Sequence, residues 1–98
     1  MIDLSFTASL WRWKGDSAWH FITVPDETSA AIRSFAPEAK RGFGSARVSV
    51  TIGETVWRTS VFPDKQSGGY LLPVKKAVRS AEGLAAGDAA TVRLELVI

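Results

Sequence analysis

The stretch PVKKAVR, residues 73–79, places three cations on a short helical segment: Lys75, Lys76 and Arg79. Acids suit the start of a helix, because the backbone dipole is positive there, so each lysine costs a few tenths of a kcal/mol. Lys75 and Arg79 are also like charges at i, i+4, a mildly unfavourable spacing that Glu82, three residues beyond Arg79, relieves in part. A local rule broken without compensation points to a site. Backbone N–H groups together with two ammonium groups suit a phosphate or carboxylate, and Arg58 on a preceding strand is a further candidate cation. The competing structural reading is a solvated basic face, or ion pairs to Asp64 or Asp88, and it carries more weight on sequence grounds.

Other residues with chemical potential are less informative. Trp11, Trp13, Trp19 and Trp57 are many for a short chain. Trp11 and Trp13 share one face of a strand, with Arg12 on the other, and such a pair can stack bases or sugars. Tryptophans in a small barrel more often fill the core or cap its ends, and that is the expectation here. His20 is the single histidine and has no acid at a ligand spacing, so no metal site is expected. No nucleophile elbow selects a serine for a triad. Asp26, Glu27, Asp64 and Asp88 fall at turns and helix starts, where carboxylates have structural uses. GFG (42–44) and SGG (67–69) lack the context of a phosphate loop. No catalytic, cofactor-binding or metal residues are therefore assigned.

These side chains need a frame, and composition bounds it. The chain has 98 residues, 46% of them hydrophobic and 22% charged, which fits one folded domain spanning 1–98. There is no cysteine, so disulfides, thiolate catalysis and cysteine-ligated zinc are excluded. No apolar run approaches the roughly 20 residues of a membrane helix. MIDLSF has no basic segment followed by an apolar one, so no signal peptide is read and a cytoplasmic location is expected. A formal net charge of +2 permits nucleic-acid binding without demanding it.

Residues 4–13 and 18–24 read as a hairpin about the KGDS turn. Residues 26–35 read as a helix with Asp26 as N-cap, Ile32 and Phe35 toward the core, and Pro37 as the stop. In residues 45–52, Ala46, Val48, Val50 and Ile52 share the buried face of a strand. Strands 55–62 and 70–74 follow. Val74, Ala77, Val78 and Ala81 then form a helical apolar stripe, with Gly83 as the stop. In 91–98, Val92, Leu94, Leu96 and Ile98 face inward. The predicted core also includes Phe6, Leu10 and Ile22.

The order strand, strand, helix, strand occurs twice, in halves of about 1–53 and 54–98. Pro25 and Pro73 both close the second strand of their half, and AAIRS (30–34) matches KAVRS (76–80). One such unit cannot cover both faces of its sheet. Two interlocked units can, and they leave few free edges. The predicted fold is therefore mainly β with two short helices, a single-chain pseudo-twofold double-split β-barrel built from ββαβ repeated twice. A chain carrying both halves is expected to be a monomer.

The second half, PVKKAVRSAEGLAAGDAATVRLEL, resembles the swapped-hairpin half-barrels of the AbrB- and MazE-type transcription factors, which pair into DNA-binding dimers. Here the first helix opens PDET and the second PVKK, so symmetric DNA reading is not implied. Over nearly its full length the chain resembles the bacterial domain-of-unknown-function family nineteen-oh-five. AWHFITVP (18–25), GSARVSVTIGETVWRTSVFPD (44–64) and GGYLLPVKKAVRSAEGLAAGDAATVRLEL (68–96) carry that resemblance. It implies a double-split barrel within one chain and leaves the biochemical role open. The function expected is a binding or accessory domain of unknown ligand, non-enzymatic and without a cofactor. The alternatives are a weak nucleic-acid binder of AbrB-like ancestry using Lys75, Lys76, Arg79 and Arg58, and an enzyme acting on a small anion.

Overall fold

Strict alternation decides the strands. In Ala46–Ile52 every second residue is buried while Arg47 is exposed, and in Ala89–Leu96 the buried residues are Ala90, Val92, Leu94 and Leu96. The computed structural model describes residues 3–15, 18–35 and 44–97. Its elements are β1 (Asp3–Arg12), β2 (His20–Thr23), α1 (Asp26–Phe35), β3 (Ala46–Ile52), β4 (Thr55–Pro63), β5 (Tyr70–Pro73), α2 (Lys76–Glu82) and β6 (Ala89–Leu96). This is the ββαβ order, twice.

The six strands close a barrel in the order β1-β2-β5-β4-β3-β6, with every neighbouring pair antiparallel. Exchanging β1 with β4, β2 with β5 and β3 with β6 returns the same ring of neighbours, as a pseudo-twofold axis requires. Backbone hydrogen bonds set the correspondence residue by residue. Trp13 N–H donates to the Trp19 carbonyl at 2.8 Å, and in the other half Asp64 N–H donates to the Gly69 carbonyl at 2.8 Å. Val24 N–H donates to the Tyr70 carbonyl at 2.9 Å, while Val74 N–H donates to that of His20 at 3.0 Å. Trp19 thus answers to Gly69, His20 to Tyr70, and Val24 to Val74.

This register corrects the pairing of prolines expected from sequence. Pro25 answers to Lys75, since each immediately precedes a helix, whereas Pro73 lies within β5 opposite Phe21 and answers to Thr23. Two prolines of like neighbourhood do different work, one entering a helix and one on a short strand.

Leu10, Ile22, Ile32, Val48, Val50, Val78 and Leu94 fill the core, each at most 1% exposed, and Leu96 is buried beside them. Phe6, expected in the core, is half-buried and packs against it. Phe35 was expected to face inward and is exposed: α1 buries Ser29 and Ile32, and Phe35 is its last residue. Asp26 opens α1 as its first helical residue, so the residue before the helix is Pro25. In α2 the apolar stripe narrows to Val78. Val74 is buried in the chain before the helix, while Ala77 and Ala81 are exposed. Gly83 ends α2 at φ +62°, and the Leu84 N–H closes onto the Arg79 carbonyl at 2.8 Å, so glycine serves the left-handed stop it was expected to serve. Pro37, most of the loop at 38–44, part of the KGDS turn and Ile98 lie outside the described residues. Among the described residues no helix is long and apolar enough to cross a membrane.

Candidate functional site

Each helix sits at a split in the barrel. β4 and β5 pair only through Phe62–Leu71 and Pro63–Tyr70, then diverge, and α2 packs near β4 where they part. β1 and β2 pair through Leu10–Ile22, Trp11–Phe21 and Arg12–His20, then diverge at the equivalent place, with α1 packed near β1. The two splits are filled differently.

At the first split, α1 is ten residues long and α2 only seven, so α1 has about one more turn between Val24 and Arg33 than lies between Val74 and Arg79. That extra turn buries Ser29, whose hydroxyl donates to the Val24 carbonyl at 3.2 Å and accepts from the Tyr70 N–H at 3.2 Å. Gly69 backs directly onto Ser29, and the Tyr70 ring is 2% exposed with the Arg33 guanidinium 5.8 Å from its centre.

At the second split the helix is shorter and a cavity of about 660 Å³ remains. Its wall includes all four cations singled out from sequence, Arg58, Lys75, Lys76 and Arg79, together with Trp19, His20 and Trp57. Arg79 is anchored. Its Nε donates to the Val74 carbonyl at 3.2 Å and an Nη donates to the Ala18 carbonyl at 3.4 Å, much as Arg33 donates to the Gly68 carbonyl at 3.0 Å in the other half. Lys75 and Lys76 are exposed. Neither ion-pair partner considered from sequence reaches them. Asp64 accepts from the N–H groups of Gln66 and Ser67, Asp88 accepts from that of Ala85, and the one salt bridge among the described residues joins Arg93 to Asp3. No described carboxylate lines the cavity. With only seven residues, α2 has a small macrodipole, and the positive character of the site rests on the side chains.

The equivalent residues of the other split show how far the halves differ. Where the cavity has Arg58, Lys75 and Lys76, the first half has Thr7, Pro25 and Asp26. Sequence reasoning missed the walls of the cavity: His20, Trp19 and Trp57 were read as isolated residues, and only the register brings them beside the lysines. The tryptophans also divide against expectation. Trp57 is buried and Trp11 half-buried, whereas Trp13 and Trp19 are 47% and 54% exposed, because they lie in the hairpin connection beyond the ends of β1 and β2. Among the described residues no group of three or more histidine and acidic side chains could hold a metal ion.

The family model described as Domain of unknown function (DUF1905) matches residues 6–94. The chain belongs to this family. The match takes in both splits and every described residue of the cavity wall, so the basic cavity lies inside the DUF1905 domain. No match was found among curated proteins.

Proposed function

We propose that this domain binds a small organic anion in the split between β4 and β5. The observation that carries the reading is the convergence of Arg58, Lys75, Lys76 and Arg79 on one cavity with no described carboxylate in its wall. Like charges so gathered repel one another, and a concave site with apolar walls focuses their field on whatever enters. A volume of about 660 Å³ suits a small molecule. The anchored Arg79 supplies a fixed charge, Arg58 approaches from β4, and the two exposed lysines adjust to the ligand. Calorimetric titration with inorganic phosphate and ribose 5-phosphate tests the reading. Saturable binding is expected, and exchange of Lys75 and Lys76 for Glu should remove it. Failure of both probes, or equal binding by the double variant, would refute it.

A second reading follows from a neighbouring cavity of about 410 Å³, lined by Arg47, Ser60 and Phe62, which shares Arg58 and Thr59 with the first. The two together offer a basic surface that includes the exposed aromatic side chains Trp19 and Phe62, the requirements of a weak single-strand contact. Because Thr7, Pro25 and Asp26 stand where the other half has Arg58, Lys75 and Lys76, twofold reading of duplex DNA is not supported. Any duplex contact should be no tighter than roughly 10⁻⁴ to 10⁻⁶ M at physiological salt.

A further inference from the structure

We infer that the ligand of this cavity joins a planar aromatic ring to a phosphate, the chemistry of a nucleoside monophosphate, and that Trp19 is the surface on which the ring stacks. The inference rests on the cavity being the binding site. Trp19 lines it, and one face of the indole lies against Phe21, with ring centres 6.0 Å apart and planes within 11°. At 54% exposure, more than half of the Trp19 surface is open to a ligand. The ring does not hang free. Phe21 is itself held by Trp11 at 5.3 Å and Trp13 at 6.1 Å, and the Trp11 Nε1–H donates to the Thr23 hydroxyl at 2.9 Å. An aromatic surface fixed in this way binds a flat ring with little ordering cost.

The comparison between halves gives an independent reason. The residue equivalent to Trp19 is Gly69, where a Cβ would come within 2.5 Å of the Ser29 hydroxyl oxygen. The filled split has no room for any side chain there. The open split has a large indole at that position, beside Arg58, Lys75 and Lys76 where its twin has no cation. A wall for a ring and cations for an anion thus occur together, in the same half. Several cations in one cavity match the two negative charges of a phosphate monoester better than the single charge of a carboxylate.

Calorimetric titration of AMP, ribose 5-phosphate and inorganic phosphate into the wild type and into the Trp19→Ala and Trp19→Phe variants tests this. AMP should bind about tenfold tighter than ribose 5-phosphate to the wild type. Trp19→Ala should erase that difference by lowering AMP affinity far more than ribose 5-phosphate affinity, and Trp19→Phe should restore much of it. Trp19 is more than half exposed and lies outside the core, so both variants should melt cooperatively within a few degrees of the wild type, confirming that they fold. Equal affinity of the wild type for AMP and ribose 5-phosphate would overturn the stacking inference while sparing the anion site. Absence of binding by all three probes would overturn both. Binding of a hexameric single-stranded oligonucleotide without binding of AMP would replace the mononucleotide with a polymer.

Discussion

His20 and Tyr70 occupy equivalent positions on either side of the pseudo-twofold axis, and each carbonyl accepts the N–H of the valine that leads into the opposite half's helix. Their side chains have diverged. Tyr70 is 2% exposed and helps fill its split, whereas His20 stands half-buried in the wall of the cavity. His20→Tyr should therefore partly close the second split. The variant should melt within a few degrees of the wild type and lose most of its affinity for ribose 5-phosphate. Tyr70→His should do the opposite, leaving a void in a filled site at about 2 kcal/mol or more of stability. Full ligand affinity in His20→Tyr would show that the cavity near β2 takes no part in binding.

The barrel closes within one chain, since β2 pairs with β5 and β3 with β6 across the two halves. Among the described residues no strand waits for a partner copy. Melting temperature should be independent of protein concentration from the micromolar range upward, and sedimentation should give a species that stays folded on dilution. A melting temperature that rises with concentration would mean that association completes the fold.

Leu94 tests the phase of the closing strand. It is fully buried, opposite Leu4 on β1 and Val50 on β3. Leu94→Ala should cost about 2–5 kcal/mol in denaturant unfolding. Exposed Arg93, one residue away, should tolerate replacement by Ala with a much smaller change, because a one-residue step along a strand reverses the face.

That alternation explains why so much of the fold was legible. A period of two fixes a strand without reference to its neighbours, as in Ala46–Ile52, and Gly83 marks a stop through its own backbone freedom. What sequence could not show was anything that depends on register. Pro25 and Pro73 look alike because both follow a short apolar run, but only cross-strand hydrogen bonding shows that one enters a helix and the other lies inside a strand. The four cations were visible because Lys75 and Lys76 stand where acids are favoured. His20, Trp19 and Trp57 carry no such local signal, and join the cations only where β4 and β5 part. The extra turn of α1, which fills one split and leaves the other open, is a difference in helix length between two halves of unlike sequence.

Asp3 and Arg93 join the first and last strands across an exposed face, with guanidinium-to-carboxylate distances of 3.2 and 2.7 Å. The hydrogen bond from Arg93 holds the Asp3 carboxyl below its ordinary pKa, and the same bond raises that of Arg93. A carboxyl with a depressed folded pKa contributes its stability fully above the unfolded value of about 3.9 and loses it as pH falls through the folded value. For Arg93 the sign is reversed, and its contribution is lost only in strong alkali. The wild type should thus lose a small increment of stability on acidification below about pH 4 that Asp3→Asn does not lose. Both charges are exposed, so molar salt should shrink the difference. A pH profile unchanged by Asp3→Asn would show that the pair adds nothing measurable.

The cations of the cavity should separate into one that holds structure and others that do not. Arg79 donates to the carbonyls of Val74 and Ala18, tying α2 to the strand before it and to the β1–β2 connection. Hydrogen bonds from a charged group to carbonyls contribute about 1.5–3 kcal/mol when well formed, and less where one end is exposed. Arg79→Ala should accordingly lower stability by about 1–2 kcal/mol. Its effect on anion binding should be no larger than that of either lysine, because much of its hydrogen-bonding capacity is already used. Lys75 and Lys76 have no ion pair among the described residues and stand at a helix start that favours acids. Exchange of both for Glu should leave the melting temperature equal or slightly higher while abolishing phosphate binding. Thermal melts and phosphate titrations on the same preparations separate the two roles. A double-Glu variant that is less stable than the wild type would return the lysines to a structural part, and an Arg79→Ala variant of full stability would show that its carbonyl bonds do not hold the split together.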